Sequence, residues 1–167
     1  MAKSLPNEAE LYQKIKDEKI EIDSKIWALF YEHIGNAVTV INLISTYFLQ
    51  SNNPLPIKMA KKILNYTRDI NHTLDCILYP NENYLEDDLF KQLRKENVSL
   101  HPVIKEMLTH YVGNDVYGIN LIIGDSLDPA APQDVPLEHL PRVIEKTRSL
   151  RQFLDRLREA TLKIAAF

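Results

Sequence analysis

The sequence predicts an all-α fold: a four-helix bundle built from two tandem helical hairpins, with a short extra helix before each hairpin. Three observations support this fold class. Apolar residues recur at spacings of three and four along extended segments, no alternating strand pattern stands out, and the second half of the chain repeats the first. At 167 residues, 45% of them hydrophobic, the chain can bury one core. We therefore expect a single domain over residues 1–167, with internal repeats over about 7–79 and 81–163.

The internal repeat becomes visible when the first half of the sequence is aligned with the second so that Gly35 matches Gly113. After a short insertion in the second half, the alignment continues with Pro56 matched to Pro136. We call this correspondence the repeat alignment. Several features recur along it in the same order: an Asn inside a long apolar run, a proline and a Thr-Arg pair. The clearest matches are Gly35-Asn36 with Gly113-Asn114, Asn42 with Asn120, Pro56 with Pro136, and Thr67-Arg68 with Thr147-Arg148. Similarity between amphipathic helices explains the apolar matches, whereas the ordered polar matches favour a duplication and an internal pseudo-twofold axis.

Each repeat is predicted to contain a short helix followed by a hairpin of two long helices. In the first repeat, the short helix covers about residues 7–19, with Asn7 as its N-cap, and the long helices cover about 24–50 and 56–78. The segment SNNPLP between them is rich in helix breakers and predicts a turn. In the second repeat, the helices are expected over about residues 86–96, over 102–127, and from the end of the loop DPAAPQDVP to about residue 163. Each hairpin has one apolar stripe, which it can bury on the other hairpin. In the first repeat the stripe comprises Ile26, Phe30, Ile34, Ala37, Ile41, Ile44 and Phe48 on the first long helix and Met59, Ile63, Ile70, Leu74 and Ile77 on the second.

Composition and charge argue against several classes of function. A net charge of -3 does not indicate a surface for nucleic acid or for an anionic membrane. The longest apolar stretch, residues 34–49, is interrupted by polar residues and is shorter than a bilayer span. The first residues lack the apolar region of a signal peptide, and the one cysteine, Cys76, cannot form an internal disulfide. We therefore expect a cytoplasmic protein.

Motifs that would hold a metal or a cofactor do not stand out in the sequence. Neither H-E-x-x-H nor a Cys/His spacing typical of zinc occurs, and the carboxylates of ENYLEDD lie off the predicted bundle stripes. Four glycines are too few for the Gly-rich loops that hold nucleotide phosphates. We therefore expect no metal and no cofactor.

A polar pair is predicted on the outer side of the first long helix in each repeat. About 200° separates His110 from the stripe residue Leu108, so His110 faces outward, and Asn114 lies one turn further along the same face. In the first repeat, the equivalent positions hold Glu32 and Asn36.

A glycine precedes this asparagine in both repeats, although a glycine inside a helix costs about 1 kcal/mol relative to alanine. Gly35 and Gly113 carry no side chain, so another chain could come close, which predicts a docking surface. Eased packing between helices explains the two glycines equally well. Asp115 falls on the apolar stripe, and nothing in the sequence accounts for a carboxylate there.

The frame HYVGNDV, in which Asn114 follows His110 by four residues, resembles the phosphoacceptor segment of two-component sensor histidine kinases. The resemblance is to their dimerisation and histidine-phosphotransfer hairpin, and it covers about residues 24–78 and 102–157. It implies that His110 accepts a phosphoryl group and that Asn114 orients this group or a hydrolytic water. It also implies a response-regulator receiver domain or a sensor kinase as the partner. The residues beside the motif that would contact this partner are Glu32, His33, Gly35, Asn36, Tyr111 and Gly113.

The chain departs from the family's pattern at three positions. Tyr111 stands where the family usually has an acidic residue, Asp115 stands where it usually has proline, and Glu32 takes the place of the histidine in the first repeat. The sequence contains no nucleotide-binding motif, so autokinase activity is not expected. At most, the chain would carry out phosphotransfer or phosphatase chemistry.

Three functions stay open at this point. The chain could transfer phosphoryl groups through His110, or it could be a catalytically silent module of the same fold that binds a kinase or a receiver domain. It could also be a scaffold unrelated to phosphorelay. The oligomeric state is open as well, although a bundle that already pairs its own two hairpins is compatible with a monomer.

Overall fold

The computed structural model is mostly helical, which confirms the all-α prediction. It describes residues 7–79, 88–95, 99–128, 130 and 133–161. The predicted linker after residue 79 and the predicted end of the last helix near residue 163 lie outside these ranges, as do the ends of the second short helix. None of the helices in the described part of the chain combines the length and the apolar character that crossing a membrane requires.

The first half of the chain begins with the short helix α1, which covers Glu8–Asp17. Asn7 is its N-cap, as predicted: the Asn7 side chain accepts hydrogen bonds from the backbone of Ala9 and Glu10, and the Glu10 carboxylate accepts one from the Asn7 backbone. The elements that follow are α2 (Ser24–Leu29), a π-helical segment (Phe30–Gly35), α3 (Asn36–Ser51), the strand β1 (Leu55–Pro56) and α4 (Ile57–Leu78).

The second half of the chain follows the same order. Its elements are α5 (Asp88–Lys95), α6 (Pro102–Met107), a second π-helical segment (Leu108–Val112), α7 (Gly113–Gly124), β2 (Asp134–Val135) and α8 (Leu140–Thr161). Short 3-10 turns follow α7 and precede α8. In both halves the predicted first long helix is helical along its length, but a π-helical segment interrupts the α-helical geometry, and the sequence pattern did not predict it.

The long helices pack so that the predicted apolar stripes form the core. α3 packs against both α8 and α4, and α7 packs against the same two helices. α1 packs against α8 and α6, whereas α5 packs against α4. The stripe residues Phe30, Ile34 and Ile41 are fully buried, and so are Ile63 and Ile70 on α4. Burial of these side chains supplies most of the stabilisation of such a fold.

Two partly buried hydrogen bonds join helices that are distant in sequence. The Asn42 amide on α3 donates to the Thr147 hydroxyl on α8 at 2.8 Å, and the Thr67 hydroxyl on α4 donates to the Asn120 side-chain oxygen on α7 at 2.6 Å. Thr67 and Thr147 are each 1% exposed, so both contacts lie inside the packed helices. These four residues belong to the recurring motifs, and they join helices that pack against each other.

The two strands form an antiparallel ribbon in which Leu55 pairs with Val135, its own counterpart in the repeat alignment. Both side chains are fully buried. The sequence showed no strand pattern here, because two residues are too few for an alternation of apolar and polar side chains.

Helix starts also correspond between the two halves. The Asp23 carboxylate accepts from the Lys25 backbone at the start of α2, and His101 Nδ1 accepts from the Val103 backbone at the start of α6. Asp23 and His101 occupy equivalent positions in the repeat alignment. The same position therefore caps a helix in both halves, through a carboxylate in the first and an imidazole in the second.

Candidate functional site

His110 lies on the outer side of the second π-helical segment, where its side chain is half-buried. Asn114 is exposed, and its amide nitrogen lies 3.3 Å from His110 Nδ1. The structure therefore brings the two predicted site residues together on one face. Because Nδ1 faces Asn114, Nε2 is the ring nitrogen that this contact does not engage.

Tyr111 turns towards the interior and supports His110 from one side. Its ring packs against Phe153 on α8, with 5.2 Å between ring centroids, and meets the His110 ring edge-on at 4.9 Å. Burial raises the pKa of the Tyr111 hydroxyl, and the Glu8 carboxylate raises it further, whereas the Arg156 guanidinium lowers it. Tyr111 is half-buried, so only the exposed part of its ring is available for the partner contact that the sequence predicted.

The glycines of the motif do not make close contacts within the chain. A Cβ placed on Gly113 would meet nothing within 4 Å, and one on Gly35 would meet the Tyr31 ring at 3.6 Å, an ordinary van der Waals distance. Both glycines have helical backbone angles, with φ of -59° and -61°. Close approach within the chain is therefore the wrong explanation for these two positions. Gly35 and Gly113 do lie beside the asparagines, and contact with a partner stays a prediction.

Close approach does explain a third glycine, Gly118, and with it the charge at Asp115. A Cβ on Gly118 would lie 3.1 Å from Cε of Lys146, so the lysine stem crosses α7 where the glycine leaves room. Lys146 Nζ reaches Asp115 Oδ1 at 3.3 Å. Asp115 is only 9% exposed, and a buried carboxylate requires a partner of this kind. The charge on the apolar stripe is thus part of an ion pair between α7 and α8.

The outer side of α7 continues the line that His110 and Asn114 begin. Tyr117 and Leu121 follow at spacings of three and four residues, and they are 63% and 48% exposed. We call the surface formed by His110, Asn114, Tyr117 and Leu121 the α7 face. A large aromatic and a large aliphatic side chain so close together on a solvent-facing helix are typical of contact surfaces.

The first half has a corresponding surface on α3. Glu32 and Asn36 are exposed, and His33 is half-buried. Leu43 and Tyr47 follow on the same side of the helix and are 63% and 66% exposed. We call the surface formed by Glu32, Asn36, Leu43 and Tyr47 the α3 face.

Four exposed apolar residues on these faces were not predicted from the sequence, namely Leu43, Tyr47, Tyr117 and Leu121. A usable signal was present, because α3 contains no charged residue along its 16 positions and α7 contains only Asp115. A helix with one side in water normally carries charges on that side. The missing charges indicate that the outer sides of α3 and α7 differ from ordinary solvent-facing surfaces.

Within the described ranges, His, Cys, Asp and Glu side chains form no group of three that could hold a metal ion. Comparisons with protein-family models, with curated proteins and with solved structures find no match to this chain. A functional interpretation must therefore start from the geometry of the two faces.

Proposed function

We propose that this chain is a two-component signalling protein that binds a receiver domain or a sensor histidine kinase and accepts a phosphoryl group on His110. The observation that carries the proposal is the arrangement on the α7 face. An outward imidazole has an amide at its Nδ1, and exposed Tyr117 and Leu121 follow on the same side of the helix. A nucleophile, an orienting group and a docking surface therefore succeed one another along one helix.

The proposed architecture is a four-helix bundle of two duplicated hairpins, residues 24–78 and residues 102–161. The packing of α3 and α7 against both α4 and α8 supports it. Further support comes from features that recur at equivalent positions of the repeat alignment: the side-chain caps, the π-helical segments, and the Asn–Thr hydrogen bonds. Duplication explains why a contact between α3 and α8 has a counterpart between α7 and α4.

The proposed reaction uses the neutral imidazole as a nucleophile. The Nε2 lone pair of His110 attacks the phosphorus of an aspartyl phosphate on the receiver domain. The bond between phosphorus and the carboxylate oxygen breaks, its electron pair leaves with the aspartate, and Nε2 carries the phosphoryl group. The partner supplies the Mg²⁺ that offsets the charge of the transferred group.

Asn114 would select the tautomer that this reaction needs. Nε2 is nucleophilic only when the ring proton is on Nδ1. Rotation of the Asn114 amide by half a turn presents its oxygen to Nδ1, where the oxygen accepts this hydrogen. With the amide nitrogen towards Nδ1, as at the 3.3 Å contact, Nδ1 accepts and Nε2 keeps the proton.

A second candidate function is that of a catalytically silent adaptor with the same docking surfaces. One observation favours it: the side chain after the histidine is Tyr111, which packs on Phe153. The first half of the chain has Glu32 at the histidine position, so its face is unable to form a phosphohistidine there.

Phosphoryl transfer to the purified chain distinguishes the two candidates. Each receiver domain encoded in the source genome is phosphorylated with radiolabelled acetyl phosphate and mixed with the chain. We expect acid-labile label on the chain, lost in His110→Gln and kept in the matched control His72→Gln, which changes a half-buried histidine of α4 that is not among the predicted partner contacts. Label that is unchanged in His110→Gln would contradict the assignment of the phosphoacceptor.

Binding is measured in parallel by calorimetry with the same receiver domains. Binding without transfer of label supports the silent adaptor. If no receiver domain binds and no sensor kinase binds, both candidate functions are wrong.

A further inference from the structure

We infer that the start of α6 has a pH-sensitive cap. Protonation of His101 removes the hydrogen bond that holds the first turn of this helix, whereas the equivalent cap in the first half, Asp23, keeps its hydrogen bond at the same pH. The inference is independent of the proposed function, because it requires neither a partner nor phosphoryl transfer.

The cap of α6 depends on the protonation state of His101. The backbone N–H of Val103 donates to His101 Nδ1 at 3.2 Å. A neutral imidazole accepts only through the ring nitrogen that has no hydrogen, so this contact requires the ring proton on Nε2. An imidazolium has a hydrogen on both nitrogens and accepts at neither. The cap therefore exists only while His101 is neutral.

The first turn of α6 needs this acceptor because of the residue that begins the helix. Pro102 has no backbone N–H, so the N–H of Val103 is the first donor of the helix, and it has no acceptor within the helix. The first backbone bond of the helix is made two residues later, from Lys105 to the His101 carbonyl, at 3.1 Å. An imidazolium at this end would also face the positive end of the helix dipole. Protonation thus removes an acceptor and adds an unfavourable charge.

The surroundings of the His101 ring offer only a weak counterweight. Nε2 lies 3.7 Å from the Glu18 carboxylate at the end of α1, and the same carboxylate lies 3.8 Å from the Lys14 ammonium group. The His101 and Glu18 side chains are 40% and 45% exposed, so water screens their attraction. The charged residues that line the groove around the ring, or follow one turn later on α6, are of both signs: Glu18, Glu21, Lys19 and Lys105.

The first half of the chain provides an internal comparison. The Asp23 carboxylate accepts from the backbone N–H of Lys25 at 2.8 Å, at the position equivalent to His101. Aspartate side chains are ordinarily ionised throughout the range from pH 5 to pH 8, in which histidine side chains gain or lose their proton. Within this range, only one of the two equivalent caps changes. The helix start that responds is the one at the head of Pro102–Met107 and Leu108–Val112, the helical stretch that ends beside His110.

Amide hydrogen exchange of the full chain, followed by NMR between pH 8 and pH 5, tests the inference. The measured quantity is the protection of each amide, which is its exchange rate corrected for the intrinsic effect of pH. We expect the protection of Val103 to fall by about fivefold as the ring signals of His101 report its protonation, since this is the typical effect of losing a cap. The Lys25 amide, whose cap is Asp23, should keep its protection.

Two variants make the test specific. In His101→Asn the cap is a good acceptor without a titrating group, so Val103 should stay protected from pH 8 to pH 5. In Glu18→Gln the imidazolium loses its neighbouring carboxylate, so the midpoint of the Val103 transition should move to lower pH.

Three results would overturn the inference. If Val103 keeps its protection while the ring signals show a protonated His101, Nδ1 is not the cap of α6. An equal loss at Lys25 would show that acid loosens both helix starts alike. A loss that persists in His101→Asn would assign the response to another group. None of these results bears on phosphoryl transfer, so the failure of this inference leaves the proposed function standing, and the reverse also holds.

Discussion

The two halves of this chain use the same residues where they meet and different residues on their outer sides. At the junction, Asn42 bonds to Thr147 just as Asn120 bonds to Thr67. On the outer sides, His110 corresponds to Glu32. At the junction each half is the packing partner of the other, so equivalent residues make equivalent contacts. The outer sides are free of this constraint, and their differences are therefore where a difference in function between the halves would arise.

A second difference between the halves lies behind their outer faces. Asp115 and Lys146 form an ion pair across α7 and α8, and Gly118 makes room for the lysine stem. At the corresponding positions of the first half are Ala37 and Tyr66, an apolar and an aromatic residue. The half with the candidate phosphoacceptor thus has a charged contact behind its outer face, whereas the other half has no charge at either position.

Removal of the threonine hydroxyls at the junction should cause the largest loss of stability among the variants considered. We expect Thr67→Val and Thr147→Val each to lower the free energy of unfolding by about 1–3 kcal/mol, because each leaves a partly buried amide without its partner. Valine and threonine have similar helix propensities, so propensity contributes little to the difference. Urea unfolding measures both values.

The control for the junction variants is Thr109→Val, since Thr109 is exposed and its hydroxyl bonds locally, to the Lys105 carbonyl. This variant should differ little from the parent. A large loss in one junction variant and none in the other would show that the two halves are not equivalent where they meet.

Removing one or the other partner of the ion pair behind the α7 face should lower the stability of the chain by different amounts. Lys146→Met leaves the Asp115 carboxylate, whose side chain is 13% exposed, without its cation. We expect a loss of about 1 kcal/mol in the free energy of unfolding. Asp115→Ala should change it by less than about 0.5 kcal/mol, because the Lys146 side chain is 39% exposed and can be solvated. Equal losses in the two variants, measured by urea unfolding, would contradict this.

Alanine at the motif glycines should change the free energy of unfolding by no more than the other variants' largest losses, and with the opposite sign. Gly113→Ala meets no neighbour and has helical backbone angles, so we expect a gain of about 0.5–1 kcal/mol in the free energy of unfolding. Gly35→Ala should also raise the free energy of unfolding or leave it unchanged. If Gly113→Ala is more stable and yet binds a receiver domain less tightly, the glycine serves docking. A loss of stability in thermal unfolding would indicate a packing role instead.

The helices were well predicted because apolar periodicity, caps and breakers act locally. Asn7 was identified as a helix N-cap, and the stripe of Ile26, Phe30 and Ile34 is buried. Contacts between distant segments were beyond such local rules. Asp115 was unexplained because its partner, Lys146, lies 31 residues later.

The candidate site was predicted only in part, for a similar reason. The shared face of His110 and Asn114 follows from helix geometry, and their side chains do meet. Close packing at Gly113 was not found, because the sequence does not reveal whether the space beside a glycine is filled or open. Tyr117 and Leu121 were missed because an apolar residue on a helix is usually assigned to the core, and their exposure depends on how α7 packs.

The π-helical segments have a consequence for insertion and deletion. A π-helical turn contains one residue more than an α-helical turn, since its hydrogen bonds span five residues rather than four. Removal of one residue from Leu108–Val112 would convert the segment to regular helix and leave α6 and α7 in nearly the same relative orientation, because the wider turn already accommodates the extra residue. A one-residue deletion within α7 meets no such turn and would rotate the apolar stripe on one side of it by about 100°. Each π-helical segment is therefore a position where the long helix can lose a residue and still turn its apolar stripe towards the core.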